Sequence, residues 1–159
     1  MKPKNAKKPA SPQLVDLLCF AIYSTNLAYG RAYKPVLEEL GLTYPQYIVI
    51  VALSEDDHQT VSGLGEKLFL ESNTLTPILK KLEAMGYVRR QRGAEDERQV
   101  FVSLTDAGRR LREKGLEMIL VKASGLDPDG FRTMRKGVVT LRDNLIKAAQ
   151  EADRRPTAR

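Results

Sequence analysis

The sequence predicts a mainly α-helical fold with one small β-hairpin, α+β only by that hairpin, and three observations predict it. Apolar residues recur in steps of three and four over most of the chain, which is the helical period. Between Val88 and Leu104 the period changes to two, as in strands. Directly before that change stand two short helical patterns about three residues apart, the form of a helix-turn-helix.

Leu14, Leu17, Leu18, Ala21 and Ile22 mark a long helix from about residue 13; Gly30 and Pro35 interrupt it, and Val36–Leu40 reads as a short second helix. Thr43-Tyr44-Pro45-Gln46 has the form of a capping box, so a buried helix should run to about Leu53. Asp56, Asp57 and His58 make a turn. A brief helix follows, with Val61, Leu64 and Leu68 on one face and two glycines, Gly63 and Gly65, that point to close packing. Ser72 is placed to cap the next helix, whose inward face is Leu75, Ile78, Leu79, Leu82 and Met85, and Gly86 is its stop signal. Val88–Arg92 and Val100–Leu104 are the strands of the hairpin, joined by a charged turn at Gly93–Glu97. Asp106 is expected to cap a helix through about Ala123, and Asp127-Pro128 opens another in which Phe131, Met134, Val138, Leu141 and Leu145 recur at helical spacing. One domain over residues 13–152 is expected, between a basic tail at 1–12 and another at 153–159.

Composition narrows the function. The longest apolar runs, Leu17–Tyr23 and Tyr47–Leu53, are far shorter than the roughly 18 residues that cross a bilayer, and no apolar stretch follows the first residues, so a soluble cytoplasmic protein is expected. The formal charge of +6 comes entirely from the two tails, which leaves the body balanced. One cysteine, Cys19, excludes an internal disulfide and every multi-cysteine zinc motif, and the one histidine, His58, has no companion ligand. No metal or cofactor is expected.

Within that balanced body, charge is concentrated in one place. From Thr76 to Arg92 the cations Lys80, Lys81, Arg89, Arg90 and Arg92 face a single acid, Glu83, a local +4. The helix that opens at Ser72 turns Asn73, Thr74, Thr76 and Pro77 outward near its start, with Lys80 and Lys81 a turn later. Short hydroxyl and amide groups let a helix approach base edges, while the lysines reach phosphates. In the hairpin tip Asp96 and Arg98 lie two residues apart, so the carboxylate is expected to hold the guanidinium extended toward a minor groove. A single reading head of this kind has little specificity, so a homodimer on a pseudo-palindromic double-stranded DNA operator is expected, with helices in 13–40 and 106–152 as the dimerisation elements around a reading part at 43–105.

These motifs resemble the MarR family of winged helix-turn-helix regulators, and within it the OhrR group that senses organic hydroperoxides. The resemblance runs from Leu17 to Gly108. Its motifs are Leu18-Cys19-Phe20-Ala21-Ile22-Tyr23-Ser24, Leu42-Thr43-Tyr44-Pro45-Gln46-Tyr47, Leu75-Thr76-Pro77-Ile78-Leu79-Lys80-Lys81-Leu82, and Asp96-Glu97-Arg98 leading to Leu104-Thr105-Asp106-Ala107-Gly108. It implies a repressor, not an enzyme, whose reduced form holds the operator and whose oxidised form lets go. It further implies Cys19 as the sensing thiol of a one-cysteine type, trapped after oxidation by a small-molecule thiol, with Tyr33 and Tyr44 as phenols that hydrogen-bond it. Fourteen residues of straight helix would separate Tyr33 from Cys19 by about 21 Å, so a contact within one chain would need a sharp bend, while a partner chain crossing at the dimer interface could supply the phenol directly. Two other readings stay open: a repressor of the same fold that binds a small aromatic ligand reversibly, and a thiol peroxidase, which would have neither a resolving cysteine nor a nearby base.

Overall fold

The computed structural model describes residues 11–114 and 121–154. The chain divides into two compact units, residues 1–114 and 115–159. Apart from residues 11–12 and 153–154, the two basic tails lie outside the described residues, as does the 115–120 stretch of the helix expected to reach Ala123.

The first unit opens with one tight turn at Leu14–Asp16, then α1, Leu18–Glu39. The expected break into two helices does not occur. Pro35 lies inside α1 and deprives it of one N–H donor, and Gly30 lowers its propensity. Burial of Tyr33 and Leu37 holds the helix through both, so tertiary packing outweighs the local cost. Gly41, at φ +64, ends it: Leu42 N–H donates to Leu37 O at 2.9 Å and Gly41 N–H to Glu38 O at 3.0 Å, the paired bonds of a Schellman stop. Thr43 then opens α2, Tyr44–Glu55, where Gln46 Oε1 accepts from Thr43 N–H at 2.8 Å and Pro45 fits the first turn as expected. Half of α2 is buried, with Val49, Ile50 and Leu53 fully enclosed, which makes it the hub of the core.

A two-residue strand, β1 (Gln59–Thr60), was not foreseen; it is too short to show a period. Thr60 Oγ1 accepts from Gly63 N–H at 3.0 Å and starts α3, Val61–Leu68. The turn out of α3 uses the same Schellman bonds, Leu70 N–H to Gly65 O at 2.9 Å and Phe69 N–H to Glu66 O at 3.3 Å, with Phe69 in the left-handed region at φ 56. A Cβ on Gly65 would stand 2.8 Å from Leu70 O, so the close packing expected of this glycine is met by the turn itself. Next is α4, Ser72–Ala84, which seats Leu75, Leu79 and Leu82 in the core and stops at Gly86 (φ +77) in a third Schellman pair.

The hairpin strands are β2, Val88–Arg92, and β3, Val100–Leu104, paired Val88↔Leu104 through Arg92↔Val100. On its other edge β3 pairs with β1, giving the order β1-β3-β2. Then α5 spans Asp106–Arg112, and Thr105 rather than Asp106 caps it, its Oγ1 accepting from Gly108 N–H at 3.2 Å. Threonine takes the cap because its main chain is already tied to the sheet: Thr105 N–H donates to Tyr87 O at 3.1 Å.

In the second unit residues 121–123 are helical, and α6 spans Pro128–Asp153, opened as expected by Asp127, whose Oδ1 accepts from Gly130 N–H at 2.6 Å. None of its residues is buried, so within this unit Met134, Val138, Val139 and Leu145 form an exposed apolar stripe. Among the described residues no single helix is long and apolar enough to cross a membrane.

Candidate nucleic-acid interface and thiol site

The three-residue turn between α3 and α4 sets which face of α4 points outward. With Leu75, Leu79 and Leu82 inside, Ser72, Asn73, Thr74, Pro77, Lys80 and Lys81 are exposed and Thr76 is half-buried. Ser72 is the first helical residue and not the cap; Glu71 occupies that position without a side-chain bond, because the Leu70 N–H tie to Gly65 O completes the turn one residue early. The Ser72 side chain thereby stands on the exposed start of α4. Thr76 Oγ1 donates to Ser72 O at 2.7 Å, so its methyl group has a set direction as well.

Charge on the hairpin, hereafter the wing, is divided between two tasks. Glu83 on α4 takes three bonds from Arg90 on β2: from the main-chain N–H at 3.0 Å, from Nε at 2.8 Å and from Nη2 at 2.6 Å. Those side-chain bonds pull the Glu83 carboxyl below its ordinary pKa against the opposing effect of burial. Arg90 is therefore a strut between helix and wing, while Lys80, Lys81, Arg89 and Arg92 remain outward. At the tip, Asp96 does not hold the Arg98 guanidinium as expected. Its Oδ1 accepts from the Arg98 main-chain N–H at 3.0 Å, and Gln99 N–H donates to Asp96 O at 3.0 Å, so the carboxylate shapes the turn that carries Arg98.

A cleft of about 420 Å³ opens between α3, α4 and the wing and draws together Ser72, Thr76 and Arg98, three of the residues singled out from sequence. It also enlists Thr60 of β1, Ser62 of α3 and Gln99 of the turn before β3, which carried no sequence signal because they come from three separate parts of the chain. With the Arg98 guanidinium and four hydroxyls on its walls, beside an Arg90 already paired with Glu83, the cleft suits an anionic chain.

The thiol side is built on α1 and α2. Cys19, the second residue of α1, is exposed. Tyr33 is buried, and its ring centroid lies 5.1 Å from that of Tyr44 and 6.2 Å from that of Tyr47. Burial, with a smaller contribution from Tyr29, raises the pKa of Tyr44, so its phenol is a proton donor at neutral pH. The structure thus brings Tyr33 and Tyr44 together and adds Tyr29 and Tyr47, which the sequence analysis did not single out. Cys19 is not among them: it shares an unbroken helix with Tyr33, about 21 Å along the axis.

Residues 31–114 match the family described as transcriptional regulator SarA/Rot. The regulator TtmR of Methylorubrum extorquens is 45% identical over 137 residues, covering 84% of this chain and 70% of its own length. The organic hydroperoxide resistance transcriptional regulator of Bacillus subtilis is 39% identical over 138 residues, covering 84% of this chain and 92% of its own. Among solved structures, reduced AbfR bound to DNA superposes with a TM-score of 0.70 at 37% identity, covering 84% of this chain and 94% of that one. The chain belongs to the SarA/Rot family of MarR-like winged-helix transcriptional regulators, DNA-binding proteins and not enzymes.

Proposed function

We propose that this regulator is a homodimeric repressor that leaves its operator when Cys19 is oxidised by an organic hydroperoxide. The observation that carries this reading is the division of the thiol site: an exposed sulfur near the start of α1, and a phenol pair, Tyr33 and Tyr44, fixed together where that same chain's sulfur does not reach. A second copy placing its phenols over Cys19 completes the site. The resemblance of the chain to a hydroperoxide-resistance regulator supports the choice of oxidant.

In this reading phenol hydrogen bonds favour the thiolate. The thiolate attacks one peroxide oxygen; an S–O bond forms as the O–O bond breaks, and the departing alkoxide takes a proton to become an alcohol. The resulting sulfenic acid condenses with a small-molecule thiol, giving a mixed disulfide and water, since this sequence carries no second cysteine. The added group strains the interface at which both reading heads are set.

On DNA, Ser72, Asn73, Thr74, Thr76 and Pro77 face base edges, Lys80, Lys81, Arg89 and Arg92 reach phosphates, and the turn shaped by Asp96 delivers Arg98 to a minor groove. Residues 13–152 act as one functional domain, with 13–40 and 106–152 joining the protomers and 43–105 reading the operator. Operator binding before and after stoichiometric organic hydroperoxide tests the proposal. Wild type should release DNA, Cys19→Ser should bind and not release, and a phenolic acid should do nothing; release of Cys19→Ser by peroxide overturns it.

A further inference from the structure

The strand β1 is continued by side chains after its backbone departs. Its two residues pair Gln59 with Val102 and Thr60 with Phe101. Extending that register sets His58 opposite Ser103 and Asp57 opposite Leu104, but His58 adopts φ 56 and turns the main chain away. The side chains make the missing connections. Asp57 Oδ1 accepts from Leu104 N–H at 2.9 Å, His58 Nδ1 lies 3.0 Å from Ser103 Oγ, and the His58 ring stacks on Phe101 with centroids 4.7 Å apart and planes 6° from parallel.

The same carboxylate reaches a third element. Its Oδ2 accepts from Arg109 Nη2 of α5 at 2.6 Å, and its Oδ1 also takes His58 N–H at 2.9 Å. Asp57 therefore joins the corner after α2, the last residue of β3 and α5 through one charged group. A lone exposed Asp–Arg pair would contribute little, but two main-chain N–H donors on the same carboxylate make a directed network. Side-chain hydrogen bonds that join the wing to the rest of the unit include those of Asp57 and His58 to β3 and of Glu83 to β2.

We propose that Asp57, held by Arg109, is a positioning residue for DNA binding: it fastens the base of β3 and so sets the angle at which Arg98 stands to α4. This rests on the wing reading given above. The length of β3 puts Val100 roughly 13 Å from Leu104, with Arg98 in the turn beyond it, so a swing of about 10° at the base moves the tip by roughly 2 Å, beyond the tolerance of a hydrogen bond. Glu83 and Arg90 hold the other strand, so each strand of the wing has one carboxylate anchor.

The test compares operator affinity in wild type, Arg98→Ala, Arg109→Ala and the double variant. We expect Arg98→Ala to weaken binding about tenfold in wild type and about twofold or less once Arg109 is gone, with Arg109→Lys restoring most of the difference. Simple loss of stability scales every affinity alike and leaves that ratio at about ten; an unchanged ratio overturns the proposal. Asp57→Ala should behave as Arg109→Ala does, and should it fail to fold, the exposed Arg109 decides. Residual dipolar couplings of the DNA-free protein give a separate readout: amides of 88–104 should reorient against those of α4 in Arg109→Ala, and an unchanged orientation overturns the proposal. If Arg98→Ala has no effect on wild-type affinity while the wing still reorients, the DNA role of the wing fails and the positioning role stands.

Discussion

At the scale of single residues, two carboxylates carry the acid sensitivity of the fold. Burial works to raise the pKa of Asp57, yet hydrogen bonds from Leu104, His58 and Arg109 outweigh it and the carboxyl ends below its ordinary value. Glu83 is lowered by Arg90. A group with a depressed pKa when folded stabilises the native state above its unfolded pKa, and that contribution fades as pH falls through the folded value. Stability should thus hold from neutral pH to about pH 4.5 and decline below it, and Glu83→Gln should give lower stability at pH 7 with a shallower acid decline, measured by urea unfolding across pH 3 to 7. Arg98 belongs to this scale too: Arg98→Ala should lose about 1–3 kcal/mol of operator affinity in a gel-shift titration while the oligomeric state stays the same. The charge that distinguishes Arg98 from Arg90 was invisible in the sequence, where both count as cations. Only the fold brings the Glu83 carboxylate of α4 against Arg90 of β2 and so withdraws one of them.

At the scale of elements, stops and close approaches decide the reading head. Three helices end in Schellman turns, one at Gly86, which the sequence analysis names as a stop, one at Gly41, and one at Phe69, which no propensity would nominate for a left-handed backbone. The turn into α4 is forced there by Gly65 and Leu70, which leaves Phe69 to adopt the strained conformation. Gly108 shows the same logic at the wing base: a Cβ there would stand 2.3 Å from Tyr87 O and 2.9 Å from Leu104 Cδ2. Because a main-chain carbonyl cannot step aside, Gly108→Ala should cost about 1–3 kcal/mol in chemical denaturation and part α5 from the wing. β2, β3, α2, α3, α4 and α6 were legible because each has a clear period between punctuating residues. The continuity of α1 was not, since Gly30 and Pro35 are local signals and the burial of Tyr33 and Leu37 that overrides them is not local.

At the scale of the whole molecule, each unit leaves apolar surface uncovered. Leu14, Val15, Leu18, Ile22, Tyr23 and Leu27 around the start of α1 are exposed, as are Met134, Val138 and Leu145 on α6. So many large apolar side chains in contact with water are unfavourable at about 25 cal/mol per Å² and point to a partner surface. Leu18→Glu combined with Ile22→Glu should fold but sediment as a monomer, and operator affinity should fall by more than tenfold because the two half-sites are no longer read together. Retention of a dimer by this variant would remove α1 from the proposed interface.

The order and type of most elements, the inward face of α4 and the cationic stretch before and within the wing were determined by the sequence itself, because hydrophobic period, capping residues and charge are properties of neighbours along the chain. Which cations stay outward, that Tyr33 meets Tyr44, and that Asp57 ties three elements together were decided only by tertiary structure. Those relations join residues between 7 and 52 positions apart. Their geometry follows from how helices and strands pack, and one-dimensional spacing carries no record of it.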